Sequence, residues 1–150
     1  MPVIADVQLH LTVDGAARAA QWYQDAFGAV EVSRITLPDD RLIHLHMVLG
    51  GLTIMFADEF PEVHSGSPKT LGGTYGAVYL FFDDVNAAWE RAVGAGAEVV
   101  RELADVFWGN RDGQLVDPFG HRWGMAQVLH EVPIAEMSRL AAAAFGMNPK

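Results

Sequence analysis

The chain has no cysteine among its 150 residues. That excludes a disulfide framework, a thiolate metal site and a cysteine nucleophile. The absence fits a reducing cytoplasm, where the protein is expected to reside. Positive charge is also scarce: 10 Lys and Arg stand against 19 Asp and Glu, a formal net charge of −9. Nucleic acid is excluded as a partner on this ground, because its phosphates need a basic footprint. The long-range field favours cationic ligands, although an acidic surface equally serves solubility. No apolar stretch approaches the roughly 20 residues of a membrane span. Met1-Pro2-Val3-Ile4-Ala5-Asp6 lacks the basic region and long apolar run of a signal peptide. No membrane association is expected. Finally, no Ser-His-Asp arrangement, phosphate-cradling glycine motif or paired-carboxylate motif stands out.

What the chain does contain is an internal repeat. Val13-Asp14-Gly15-Ala16-Ala17 leads through Trp22-Tyr23 to Phe27-Gly28-Ala29-Val30-Glu31-Val32, and Phe82-Asp83-Asp84-Val85-Asn86 leads through Trp89 to Ala95-Gly96-Ala97-Glu98-Val99-Val100. The flanking strands match at a constant offset of 69, Gln8 with Ala77 and Gly51 with Gly120. Two copies of one supersecondary unit bury their apolar faces against each other, and a site can form at the seam. A hydrophobic content of 51% with 19% charged residues gives an ordered globule. A single domain over 1–150 is expected, with units at about 3–57 and 75–129.

Alternation from Val7 to Val13 predicts a half-buried strand. Asp14 is placed to N-cap an alanine-rich helix that carries Trp22, Tyr23 and Phe27 and ends at Gly28 as C-cap. Strands are predicted over Val30 to Leu37, Leu42 to Leu49 and Leu52 to Ala57, the last two joined through Gly50-Gly51. The segment from Asp58 to Tyr75 shows no periodicity and reads as a linker or a lid. The second unit repeats the plan: strand Ala77 to Phe82, helix Val85 to Gly94, strand Glu98 to Glu102. A loop with Phe107-Trp108-Gly109-Asn110-Arg111 follows, then strands near Gln114 to Asp117 and His121 to Leu129. Pro133 fits the first turn of a final helix over about 133–144. Its apolar residues (Ile134, Met137, Leu140, Ala141, Ala144) are suited to packing on the domain or on a second subunit.

Two strand-helix-three-strand units in tandem resemble the vicinal oxygen chelate superfamily of glyoxalases, bleomycin-resistance proteins and extradiol dioxygenases. Trp22-Tyr23 through Phe27-Gly28-Ala29, Ile54-Met55-Phe56-Ala57-Asp58-Glu59, Phe107-Trp108-Gly109-Asn110-Arg111 and Asp117-Pro118-Phe119-Gly120-His121-Arg122-Trp123 carry the match. Together they look like the glyoxalase/bleomycin-resistance branch often labelled PhnB-like. The resemblance implies an α+β fold in which tandem βαβββ units form a curved mixed β-sheet around a central cleft. It also implies a homodimer, since members commonly pair by exchange or edge association.

Metal-dependent members place His, Glu or Gln ligands on the first and fourth strands of each unit. The resemblance puts those positions at Gln8, Met55, Ala77 and Gly124. Only Gln8 offers an oxygen; Met55 presents a soft thioether, and Ala77 and Gly124 have no side-chain donor. The residues one step either side of Ala77 and Gly124 supply no hard ligand either, so the reading survives a register slip. No metal and no cofactor are expected at these positions. A substitute site remains open from His10, His44 and His46: the last two share a strand face, and His10 shares one with Gln8. Imidazoles and Gln8 would hold zinc if brought together; otherwise they hydrogen-bond locally or line a polar wall.

His10, Tyr79 and Phe81 share faces with Gln8 and Ala77 and are expected to look into the cleft, where aromatic walls suit flat organic ligands. Tyr79 and Phe81 equally suit core packing. Trp108 in its loop is less readily core, and Arg111 or Arg122 is suited to bind a carboxylate or phosphate. Trp22, Trp89 and Trp123 are assigned to packing helices on the sheet. Asp14, Asp83 and Asp84 are assigned to caps. Glu59 is the best free carboxylate for a base, or else part of a solvated turn. The first functional expectation is metal-independent binding of a small aromatic or cationic molecule, which needs affinity and burial but no nucleophile. The alternative is a metal-dependent lyase, isomerase or dioxygenase built around the histidines.

Overall fold

The computed structural model describes residues 1–148. The first unit runs β1 (Leu9–Thr12), α1 (Ala16–Phe27), β2 (Val30–Thr36), β3 (Leu42–Leu49) and β4 (Leu52–Ala57). After a short α2 (Pro68–Leu71), the second runs β5 (Ala77–Phe81), α3 (Val85–Gly94), β6 (Glu98–Asp105), β7 (Asn110–Val116) and β8 (Arg122–Val128). Each unit forms one four-stranded sheet, ordered β1-β4-β3-β2 and β5-β8-β7-β6. In both, the first strand is parallel to the fourth and the remaining pairs are antiparallel. The tandem βαβββ architecture of an α+β fold is thus borne out. The offset of the sequence repeat reappears in the register: His10 pairs with Met55, and Tyr79 with Gly124.

Several boundaries differ from expectation. β1 begins at Leu9, so Gln8 precedes it, and β6 runs on to Asp105. Asn110 and Arg111 belong to β7 and not to the preceding turn. The segment between the units is not featureless, since Pro61–Val63 forms a 3₁₀ turn and Pro68 opens α2. Proline suits a first helical turn because the amide hydrogen it lacks would have no partner there. Glu59 anchors this segment by accepting from the Ser67 amide at 2.7 Å and from the Thr70 hydroxyl.

Asp14 does not cap α1, which corrects the sequence reading. Gly15 holds the cap position at φ 99° with no side-chain bond of its own. The cap comes instead from the end of β4. Asp58 Oδ1 accepts from the amides of Gly15 at 3.1 Å and Ala16 at 2.7 Å, while Oδ2 accepts from the Leu42 amide at 2.7 Å. The second unit uses the position 69 residues on: Gln127 accepts from the Val85 amide at 3.1 Å, beside the local cap from Asp84 to the Ala87 amide. Local sequence cannot favour Asp58 over Asp14, because the choice depends on where β4 ends. Asp58→Ala is expected to cost about 2 kcal/mol, by stranding amides in a buried setting. Asp58→Asn, which keeps one acceptor, should cost less. Urea unfolding followed by circular dichroism measures both.

One face of each sheet carries the core. Leu45, Met47, Ile54, Phe56, Leu115, Trp123 and Met125 are buried with Tyr23 of α1. The units are joined along this side. Trp22 Nε1 donates to the Ala95 carbonyl at 2.8 Å, and Arg91 reaches the Gln24 carbonyl at 3.1 Å, so α1 and α3 are tied together. As expected, Trp22, Trp89 and Trp123 are buried in packing. At the centre, Asp117 accepts from the Tyr23 hydroxyl, from Trp123 Nε1 at 2.8 Å, and from the amides of Phe119 and His121 at 2.8 and 3.0 Å. Burial, and then the Asp117 carboxylate, push the Tyr23 phenol well above its ordinary pKa, which keeps it a donor. The His121 ring bonds the Thr12 carbonyl at 2.7 Å, a further link across the units.

The other face of each sheet is left free of helix. α4 (Ile134–Ala144) packs no residue into the core, and Ile134 stays exposed. Among the described residues no helix is long and apolar enough to cross a membrane.

Candidate functional site

Strand alternation sends His44 and His46 of β3, and Met55 of β4, away from the buried Leu45, Met47, Ile54 and Phe56. Pairing aligns Met55 and His46 into a row across the sheet: His10, Met55, His46, Ser33. The second unit has the equivalent row Tyr79, Gly124, Gln114, Arg101. Phe81, two residues beyond Tyr79, shares this free face.

The second row is held by hydrogen bonds. The Tyr79 ring lies across Gly124: a Cβ built on Gly124 would stand 2.3 Å from Cε1 and 2.4 Å from Cδ1 and Cζ. Gln114 Nε2 donates to the Tyr79 hydroxyl at 2.6 Å. Arg101 donates to the buried Asp112 carboxylate, and to the Asp112 carbonyl at 3.2 Å. Burial draws the Arg101 guanidinium down, but its bonds to Asp112 and then the nearby Tyr79 outweigh this and raise it above its ordinary pKa.

The four positions implied for a metal do not fit one. Gln8 is exposed and its amide donates to Asp6 at 3.2 Å. Met55 offers a thioether and Ala77 a methyl. At Gly124 the space that a ligating side chain would fill is taken by the Tyr79 ring. The histidines do not replace them. His44 and His46 lie with ring centres 6.4 Å apart, and His44 Nε2 bonds the Ser33 hydroxyl at 3.4 Å. Among the described residues no three His, Cys, Asp or Glu side chains are grouped to share a metal ion. Among the described residues the buried His46 Nε2 has no partner.

The remaining candidates scatter. Arg111 faces the opposite side of β7 from Gln114, where it pairs with Asp105 at 2.7 Å and with Asn86. Trp108 stacks edge-to-face on Phe107 in the turn between β6 and β7. Arg122 pairs with Ala77 in register, on the face of Tyr79. Glu59, bonded first to Thr70 and then to Ser67, is held below the usual carboxylate range and is committed to the loop. Arg101, Asp112 and Gln114 were not singled out from sequence. Asp112 and Gln114 are two apart on one strand, a period-2 polar pattern that could have marked them.

Two cavities line the seam. The larger, about 580 Å³, lies between His10, Leu11 and Thr12 of β1, the Gly66–Tyr75 segment and His121. A smaller one of about 150 Å³ separates Leu9 and Leu11 from Ala77 and Val78 of β5.

The model of the glyoxalase/bleomycin resistance protein/dioxygenase superfamily matches residues 5–125. An uncharacterized protein of Mycobacterium bovis is 44% identical over 131 residues, covering 85% of this chain and 86% of its own. Among solved structures, a gene product of Arabidopsis thaliana is 28% identical at a TM-score of 0.67, covering 83% of this chain and 99% of that one. The fosfomycin resistance protein FosX of Listeria monocytogenes, solved with Mn(II) and sulfate, shares the fold at 16% identity and a TM-score of 0.65. That match covers 90% of this chain and 98% of that one.

Proposed function

We propose, for a chain that belongs to the glyoxalase/bleomycin resistance protein/dioxygenase superfamily, that its free sheet faces bind a small organic molecule without a resident metal ion. The observation that carries this reading is the Tyr79 ring seated on Gly124, which fills with a phenol the space that a metal-ligating side chain would need. Aromatic and thioether groups on the free faces (Tyr79, Phe81, Met55) supply apolar contact, and a few polar groups set orientation, the usual make-up of an organic-ligand site. His10, His44, His46 and Arg122 complete the proposed walls, with Gln8 and Trp108 at their margins. Arg111, turned to the other side, is no longer among them. A homodimer accompanies this reading. The exposed apolar residues of α4 are a surface that a second copy would cover.

One observation favours a second reading. The buried Nε2 of half-buried His46, without a partner among the described residues, is a ring nitrogen free to ligate a metal, as a metal-dependent lyase, isomerase or dioxygenase would require. Metal retention decides between the two. Protein purified without a metal-affinity tag, then exposed to Zn, Ni, Mn and Fe and dialysed, should keep no stoichiometric metal. Aromatic compounds should raise its melting temperature with chelator present. Stoichiometric retained metal, lost on His46→Ala, would favour the second reading.

A further inference from the structure

Resting on the reading of the free faces as an organic-ligand site, we infer that Tyr79 selects the ligand: its phenol donates a hydrogen bond to a carbonyl oxygen on a planar aromatic compound. The phenol oxygen already accepts from Gln114 Nε2 at 2.6 Å. A phenol has one hydrogen, and among the described residues no acceptor bonds it. Tyr79 is 39% exposed, so the free hydrogen is accessible from the face on which a ligand would lie. The ring cannot readily wander, because it lies against the backbone of Gly124 where any side chain would collide with it. The donor is therefore preorganised, which lowers the entropy lost on binding.

The neighbours decide what the donor would meet. Phe81, 62% exposed, and Val128, 57% exposed, stand on the same face and offer apolar surface to a flat ring. Asp112 is bonded by Arg101 through both its carboxylate and its carbonyl, so its negative charge is compensated and not offered to a cation. The free phenol hydrogen of Tyr79 lies beside the positive Arg101 guanidinium, which bonds Asp112. A ligand oxygen with lone pairs suits that setting better than an ammonium, which Arg101 would repel.

Two neutral compounds of matched shape test this, 2-acetylnaphthalene and 2-ethylnaphthalene, titrated into chelator-treated protein and followed by tryptophan fluorescence. The wild type should prefer the ketone by about tenfold, the worth of one hydrogen bond. Tyr79→Phe keeps the ring on Gly124 and should bring the two compounds to near parity without weakening 2-ethylnaphthalene. A preference that survives Tyr79→Phe, or equal binding of both compounds by the wild type, overturns the inference and leaves the binding reading intact. Binding of neither compound overturns both.

Discussion

Asp117→Ala should lower the unfolding free energy by about 4 kcal/mol and the melting temperature by about 12 °C. The carboxylate is 3% exposed and accepts four hydrogen bonds, from the Tyr23 hydroxyl, Trp123 Nε1 and the amides of Phe119 and His121. Alanine removes every acceptor and leaves four donors without water to replace them. Each buried unsatisfied group costs about 1–3 kcal/mol, partly recovered by relaxation. Tyr23→Phe makes a measure of one bond, because three donors still hold the carboxylate; it should cost about 1 kcal/mol. Urea unfolding monitored by tryptophan fluorescence separates the two. If Asp117→Ala stayed within 1 kcal/mol of wild type, the four-donor node would not be holding α1 to β8 as described.

Gly109→Ala comes next, at about 3 kcal/mol. Gly109 has φ +91°, where a side chain is strained, and its Cβ would stand 2.2 Å from the His130 carbonyl oxygen. That oxygen is backbone, so it cannot rotate aside. The Gly109 carbonyl also accepts from the amides of Leu129 at 2.9 Å and His130 at 3.1 Å, so a displaced turn loosens the end of β8. Gly50→Ala is the control: φ is +56° but nothing lies within 4 Å of a Cβ there. It should cost about 1 kcal/mol, the left-handed conformation alone. Equal losses at the two glycines would show that the approach of His130 contributes nothing.

The tandem architecture was legible because it is written locally and then repeated. Gly28 adopts φ 69° as the C-cap it was read to be, and α3 spans Val85 to Gly94 as predicted. The mis-assigned cap shows the limit. Asp14 has the right chemistry in the right place, yet Asp58 wins because β4 delivers a carboxylate able to take three amides at once. The candidate residues of the free faces split along the same line. His10, Tyr79 and Phe81 followed from period-2 alternation. The row through Gln114 and Arg101 did not, because it depends on register across β6 and β7, which shifts between Val99 and Arg101 and again before Ala104. Such irregularities cannot be read from one strand alone. Arg111, expected in a loop, lies in β7, which turns it away from Tyr79.

The cap that crosses from the last strand of a unit to the start of its helix has a kinetic meaning. Asp58 reaches back 42 residues to Ala16, and Gln127 reaches back 42 residues to Val85. In each half, the first turn of the helix gains its final acceptor only after the fourth strand has docked beside the first. Loop closure over that distance must precede the reward. The amides of Ala16 and Val85 are therefore expected to gain protection from hydrogen exchange only once their own fourth strand has docked, while α3 keeps its local cap from Asp84 to the Ala87 amide throughout.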